Sequence, residues 1–149
     1  MKNILCSALL MMVISLSAFA NNGTDNGKEK VSGYTKSTFN THFAGAENVT
    51  WSASSRFQKA TFTKNGKTMT AFYDAQNELV GTTQLVEITA LSPKAIKNLV
   101  KKYPNYQMGE IIKYTGNEEV YYVNLKNETT NFLVEITPDM DVRYFKTLK

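Results

Sequence analysis

Short runs of alternating apolar and polar residues, separated by turn formers, fill most of the chain after residue 47. Alternation with period two marks half-buried strands, because successive side chains of an extended chain point to opposite faces. It predicts strands over 48–52, 57–63, 68–74 and 79–88, and again over 109–114, 119–126, 131–137 and 142–147. Asn65-Gly66 separates two of these runs. That pair favours a hairpin, since a type I′ turn needs φ > 0 at both central residues. Asp74 to Glu78 forms a second turn, rich in turn residues.

Two stretches carry a helical period instead. Over 35–44, Phe39 and Phe43 lie four apart on one face, and Gly45 ends the run. The second stretch opens at Ser92-Pro93. Serine is a good N-cap and proline suits the first helical position. Ala95, Ile96, Leu99, Val100 and Tyr103 then share a face until Pro104.

The pattern occurs twice. Shifted by 63 positions, Phe57, Ala60 and Phe62 fall on Val120, Val123 and Leu125, and Met69, Ala71 and Tyr73 fall on Phe132, Val134 and Ile136. Leu79 falls on Val142, and the same shift places Val49 and Trp51 on Ile112 and Tyr114. One supersecondary unit used twice gives such a self-match. The expected fold class is α+β: two tandem helix-plus-four-strand repeats, 34–90 and 91–149, forming one antiparallel sheet with both helices on one face.

Alternation also sorts side chains between the faces. Ala60, Phe62, Met69, Ala71, Tyr73, Leu79, Tyr121, Val123, Leu125, Phe132, Val134, Ile136, Val142 and Tyr144 are expected beneath the helices. Trp51 and Tyr114 are expected in that same core. The other face takes Lys59, Thr61, Thr70, Thr82, Gln84, Asn124, Glu135 and Arg143, with Phe57, Phe72, Val120, Tyr122, Leu133 and Phe145 among them. Aromatics on a polar face mark a candidate contact surface. The expected partner-binding set is therefore Phe57, Phe72, Tyr122, Leu133 and Phe145, rimmed by Lys59, Glu135 and Arg143.

The N-terminus sets the compartment. Lys2 precedes an apolar run from Ile4 to Leu16, and Ala18-Phe19-Ala20 has the small-x-small form of a cleavage site. Residues 1–20 therefore read as a signal peptide, too short for a membrane span and cut after Ala20. Residues 21–33 are polar and read as a disordered lead-in. The expected location is the periplasm or outside the cell. The single cysteine, Cys6, lies in the leader, so the mature chain has no disulfide, thiol nucleophile or thiolate metal site. The net charge of +4 is mild, and Lys94, Lys97, Lys101 and Lys102 form the wet face of the second helix. Neither a nucleic-acid partner nor a cofactor is expected.

Catalytic patterns are missing. Gly66-Lys67-Thr68 resembles the end of a phosphate loop, but Thr61 stands where that motif needs its first glycine. His42 is the sole histidine, so neither a zinc site nor a nucleophile–base pair is expected. Asp74, Asn77, Glu78, Asp139 and Asp141 miss calcium-loop spacing and suit turns. Two triplets, Asn48-Val49-Thr50 and Asn127-Glu128-Thr129, match glycosylation acceptors, a pattern common by chance.

Three stretches carry a family resemblance: 43–51 (Phe-Ala-Gly-Ala-Glu-Asn-Val-Thr-Trp), 59–74 with its Lys-Asn-Gly-Lys turn, and 96–104 ending Lys-Lys-Tyr-Pro. Over residues 34–149 the chain resembles the PepSY-like, β-lactamase-inhibitor-like proteins secreted by Bacteroides-type bacteria. The resemblance implies tandem α-β units with a concave sheet, and no catalytic motif. The expected function is a non-enzymatic module that binds an envelope protein or peptide. The alternatives are an inhibitor or regulator of a periplasmic hydrolase, and a structural or small-ligand-binding envelope protein with a pocket between sheet and helices.

Overall fold

A computed structural model describes residues 30–148. The expected signal peptide and all but the last four residues of the expected lead-in lie outside the described residues. Helix α1 (Gly33–His42) is followed by β1 (Glu47–Ala53), β2 (Gln58–Lys64), β3 (Lys67–Tyr73) and β4 (Leu79–Val86). A short 3-10 turn, Ile88–Ala90, leads to α2 (Pro93–Lys102). The chain ends with β5 (Gln107–Thr115), β6 (Glu119–Lys126), β7 (Asn131–Ile136) and β8 (Val142–Thr147). The strands form one antiparallel sheet in chain order, β1 to β8. Asn65 and Gly66 have φ of 51° and 72° at the β2–β3 turn, as an Asn-Gly hairpin requires.

Both helices lie on one face, each over its own half of the sheet. Phe39 of α1 packs on Ala60, Phe62, Ala71 and Tyr73, joined by Phe43, Trp51, Met69 and Leu79. Ala95 and Leu99 of α2 pack on Ile111, Val123, Leu125, Val134, Ile136 and Val142. Between the helices the same face turns polar, with Thr82 and Gln84 on β4 and Lys113 on β5. Lys113 Nζ lies 2.6 Å from Glu119 Oε2, and the Tyr121 hydroxyl donates to Glu119 Oε1 at 2.8 Å. Lys113 and Tyr121 hold the Glu119 carboxyl below its usual range.

The two helix starts are built alike but tied differently. Ser32 caps α1 by accepting from the Thr35 amide, and Ser92 caps α2 by accepting from that of Ala95. In the first half, Asn77 Oδ1 accepts from Ser32 Oγ, Thr35 Oγ1 and Gln58 Nε2 at 2.7, 2.8 and 2.9 Å. This latch joins α1 to β2 and to the β3–β4 turn, with Asn77 at φ 66°. Met140 takes the corresponding place in the second half, also left-handed at φ 69°. It binds α2 through its carbonyl, which accepts from Asn98 Nδ2 at 2.8 Å.

The structure corrects the single offset of 63. Ser32, Phe39 and Phe43 hold the places that Ser92, Leu99 and Tyr103 hold in α2, an offset of 60. Trp51 pairs with Ala60 as Ile111 pairs with Val123. From β2 and β6 onward the offset is 63. The difference arises in the β5–β6 hairpin, which extends by the pairs Tyr114–Val120 and Thr115–Glu119. Trp51 therefore corresponds to Ile111, not to Tyr114. Trp51 lies under α1 as expected, whereas Tyr114 lies on the opposite face.

One buried group is out of balance. Tyr73 is 0% exposed and its hydroxyl has no hydrogen-bond partner among the described residues. Burial pushes its pKa up to about 12. An unfolded tyrosine releases its proton near pH 10. Between about pH 10 and 12 the unfolded chain therefore holds fewer protons than the folded one, and stability falls as pH rises. Tyr73→Phe is expected to raise stability by about 1 kcal/mol, because it removes an unsatisfied buried donor. It should also flatten the alkaline decline. Urea unfolding of both proteins at about pH 8 and about pH 11 measures both effects.

Candidate functional site

The face opposite the helices carries a second apolar cluster. Phe72 of β3, Ile112 and Tyr114 of β5, and Val120 and Tyr122 of β6 are all buried there. Phe57, Val80 and Phe145 pack against them, half-buried. No described helix lies on this face. Tyr122 and Phe145 meet edge to face at 4.9 Å, a favoured aromatic geometry. The Tyr122 hydroxyl donates to Glu135 Oε1 at 2.9 Å.

Tyr114 shows why the local sequence reads as it does. Its hydroxyl donates to the Val80 carbonyl at 3.1 Å. Its ring lies against the backbone of Gly81 and Gly116. A Cβ at Gly81 would sit 2.6 Å from the Tyr114 oxygen, and one at Gly116 would sit 2.5 Å from it. Both positions therefore need glycine. A glycine inside a strand pattern signals such a close approach, so Gly81 was the clue available in the sequence.

The expected binding residues do lie on this face, but they divide into two layers. Phe72, Tyr122 and Leu133 are 2%, 1% and 2% exposed. They are buried, and Phe72 and Tyr122 share one packed cluster. Phe57, Phe145, Lys59 and Glu135 are half-buried, and Arg143 is exposed. A register shift beside Tyr73 produces a further correction, because it pairs Thr82 with Ala71 and Gln84 with Met69. Thr82 and Gln84 therefore belong to the helix side. Leu85 comes to the open face instead, opposite Ile112, and is 48% exposed. It is the accessible apolar residue that strict alternation along β4 missed. Tyr144, expected in the helix-side core, lies at its edge and is 59% exposed.

No family model and no curated protein matches this chain. Solved structures do. A DUF2874 family protein from Bacteroides uniformis gives a TM-score of 0.70 at 15% identity, over 76% of this chain and 86% of its own. A BLIP-like protein from Bacteroides fragilis gives 0.70 at 12% identity, over 82% and 89%. A candidate periplasmic protein from Bacteroides eggerthii gives 0.69 at 13% identity, over 79% and 89%. The fold of this chain is BLIP-like.

On the open face of this BLIP-like sheet, one ion pair engages Arg143. Arg143 Nε lies 2.9 Å from Asp141 Oδ2. This contact holds the Asp141 carboxyl low and raises Arg143. Burial lowers the Lys59 ammonium from its ordinary value.

The remaining chemical candidates resolve into turns. Gly66-Lys67-Thr68 sits at the β2–β3 hairpin, and His42 ends α1. Asp74 Oδ1 accepts from the amides of Gln76 and Glu78. Thr137 donates to Asp139, which holds that carboxyl low. Among the described residues, no three His, Cys, Asp or Glu side chains converge as metal ligands. Among them, too, no helix is long and apolar enough to cross a membrane.

Proposed function

We propose that this chain is an exported, non-enzymatic module that binds an envelope protein or peptide with the sheet face opposite its helices. The supporting observation is the second apolar cluster on a face that no described helix occupies. Phe72 and Tyr122 form a packed floor with Ile112, Tyr114 and Val120, which lowers the ordering cost of binding. Leu85, Phe57 and Phe145 make the apolar contact, and Lys59, Glu135 and Arg143 form the polar rim. The leader-like residues 1–20 and the likeness to a candidate periplasmic protein support export. The two helix-plus-four-strand halves are taken as a duplicated unit of PepSY-like type.

Leu85→Asp tests this reading at an exposed position, where folding is expected to survive. Parent and variant are immobilised and exposed to the host's envelope extract, and the retained proteins are identified by mass spectrometry. One protein held by the parent and lost by the variant is the expected result. Equal retention by both would remove the open face as the site. The likeness to a BLIP-like protein favours a second reading, regulation of a periplasmic hydrolase. It predicts inhibition of at least one enzyme in a panel of β-lactamases and envelope peptidases.

A further inference from the structure

Helix α2 carries a row of lysines along its outer crest. Lys94, Lys97 and Lys101 are all exposed, and their spacing of three and four residues lines them up on the side away from the sheet. Val100 stands beside them, 50% exposed. Lys102 is different, because its Nζ donates to the Val142 carbonyl at 2.5 Å.

The packing of the helix does not call for these charges. α2 contains no Asp or Glu. Among the described residues, no carboxylate lies within ion-pair distance of the three ammonium groups. Like charges three and four residues apart weaken a helix. Lys94 stands in the first turn, where the positive end of the helix dipole also opposes it. Only Lys101, in the last turn, gains from that dipole. Helix α1 has the same serine cap and covers its own half of the sheet, yet it carries Tyr34, Ser37 and Thr41 at the corresponding places. A local rule broken in one of two matching helices, with no compensating contact, points to a partner outside the chain.

The shape and chemistry of the crest select that partner. Lysine heads are flexible point charges, without the fork geometry that reads one particular carboxylate or phosphate. A convex row of them suits a flat, fluid, anionic surface. Val100 supplies an apolar side chain for the boundary between head groups and acyl chains. The export proposed above brings such surfaces, rather than nucleic acid, within reach.

We propose that the α2 crest docks on an anionic bilayer surface, with Lys94, Lys97 and Lys101 at the head groups and Val100 beside them. Each lysine near such a surface strengthens binding about fivefold. The open face lies on the other side of the sheet, so docking leaves it free.

Sedimentation with lipid vesicles tests this on residues 21–149, the exported chain. Vesicles of phosphatidylcholine alone are compared with vesicles holding about 30% phosphatidylglycerol, at about 0.05 M and about 0.5 M salt. The chain should pellet with the anionic vesicles at low salt and be released at high salt. It should bind the neutral vesicles at least about tenfold more weakly. Lys94→Gln/Lys97→Gln/Lys101→Gln should keep its melting temperature and bind about 100-fold more weakly. A control, Lys36→Gln/Lys67→Gln/Lys126→Gln, removes the same charge from exposed positions elsewhere. It should bind within about threefold of the parent. No binding to anionic vesicles would overturn the proposal. So would equal loss in the two triple variants, which would make net charge the cause. Binding to poly-glutamate but not to vesicles would put an acidic polypeptide in place of the bilayer, and would overturn it as well.

Discussion

Alanine at both Phe72 and Tyr122 is expected to cost the chain its cooperative fold, not merely its ligand. Both side chains are buried in one cluster on the face opposite the helices. Truncating a buried aromatic costs about 3–5 kcal/mol, and a small domain has only about 5–15 kcal/mol to lose. The two residues share a cluster, so their effects are not expected to add fully. Tyr122→Ala also strips Glu135 of a hydrogen-bond donor. Urea unfolding should show no native baseline, or a midpoint far below that of the parent. Tyr122→Phe keeps the ring and removes only the hydroxyl, so it should cost about 1 kcal/mol. A double variant as stable as the parent within about 1 kcal/mol would show that this cluster is not part of the core. The same reasoning places binding tests at Leu85 rather than at Phe72 or Tyr122.

Phe39→Ala is expected to release α1 from the sheet. Threonine, serine, asparagine and glycine are weak helix formers, and they fill much of Gly33–His42. Its only buried residues are Thr35 and Phe39. Phe39 meets Phe43, Trp51 and Phe62 at 5.2, 5.2 and 5.0 Å, so its ring is the main apolar contact of the helix, beside the polar latch of Asn77 to Ser32 and Thr35. The expected loss is about 3–5 kcal/mol. Leu99→Ala in α2 should leave more of its helix docked, because Ala95, Ile96 and Tyr103 remain against the sheet. Hydrogen exchange distinguishes the two. In Phe39→Ala, amides of 33–42 should exchange much faster while those of 93–102 stay protected. Uniform acceleration across the chain would show that α1 has no separate stability.

Much of this architecture was legible because its cause is local. Period-two alternation located the eight strands to within about two residues, and Ser92-Pro93 and Pro104 bounded α2. What escaped depends on contacts between strands. The longer β5–β6 hairpin adds three residues to the second half and carries Tyr114 to the open face. The irregularity beside Tyr73 reverses β4, moving Thr82 and Gln84 under the helices and Leu85 outward. Bulges of this kind leave a weak trace in a single sequence, since one extra residue flips every side chain beyond it. Alternation assigned Phe72 and Tyr122 to the correct face. It carries no information about whether neighbouring side chains enclose them.

Hydroxyl-radical footprinting of the free protein, read by mass spectrometry, most directly tests the claim of a packed floor beneath an accessible rim. Leu85 and Tyr144, 48% and 59% exposed, should be labelled strongly. Phe72, Tyr114 and Tyr122, each no more than 3% exposed, should be labelled weakly or not at all. Labelling of Phe72 and Tyr122 as strong as that of Tyr144 would contradict the account, and would return those two rings to the role of open contact residues.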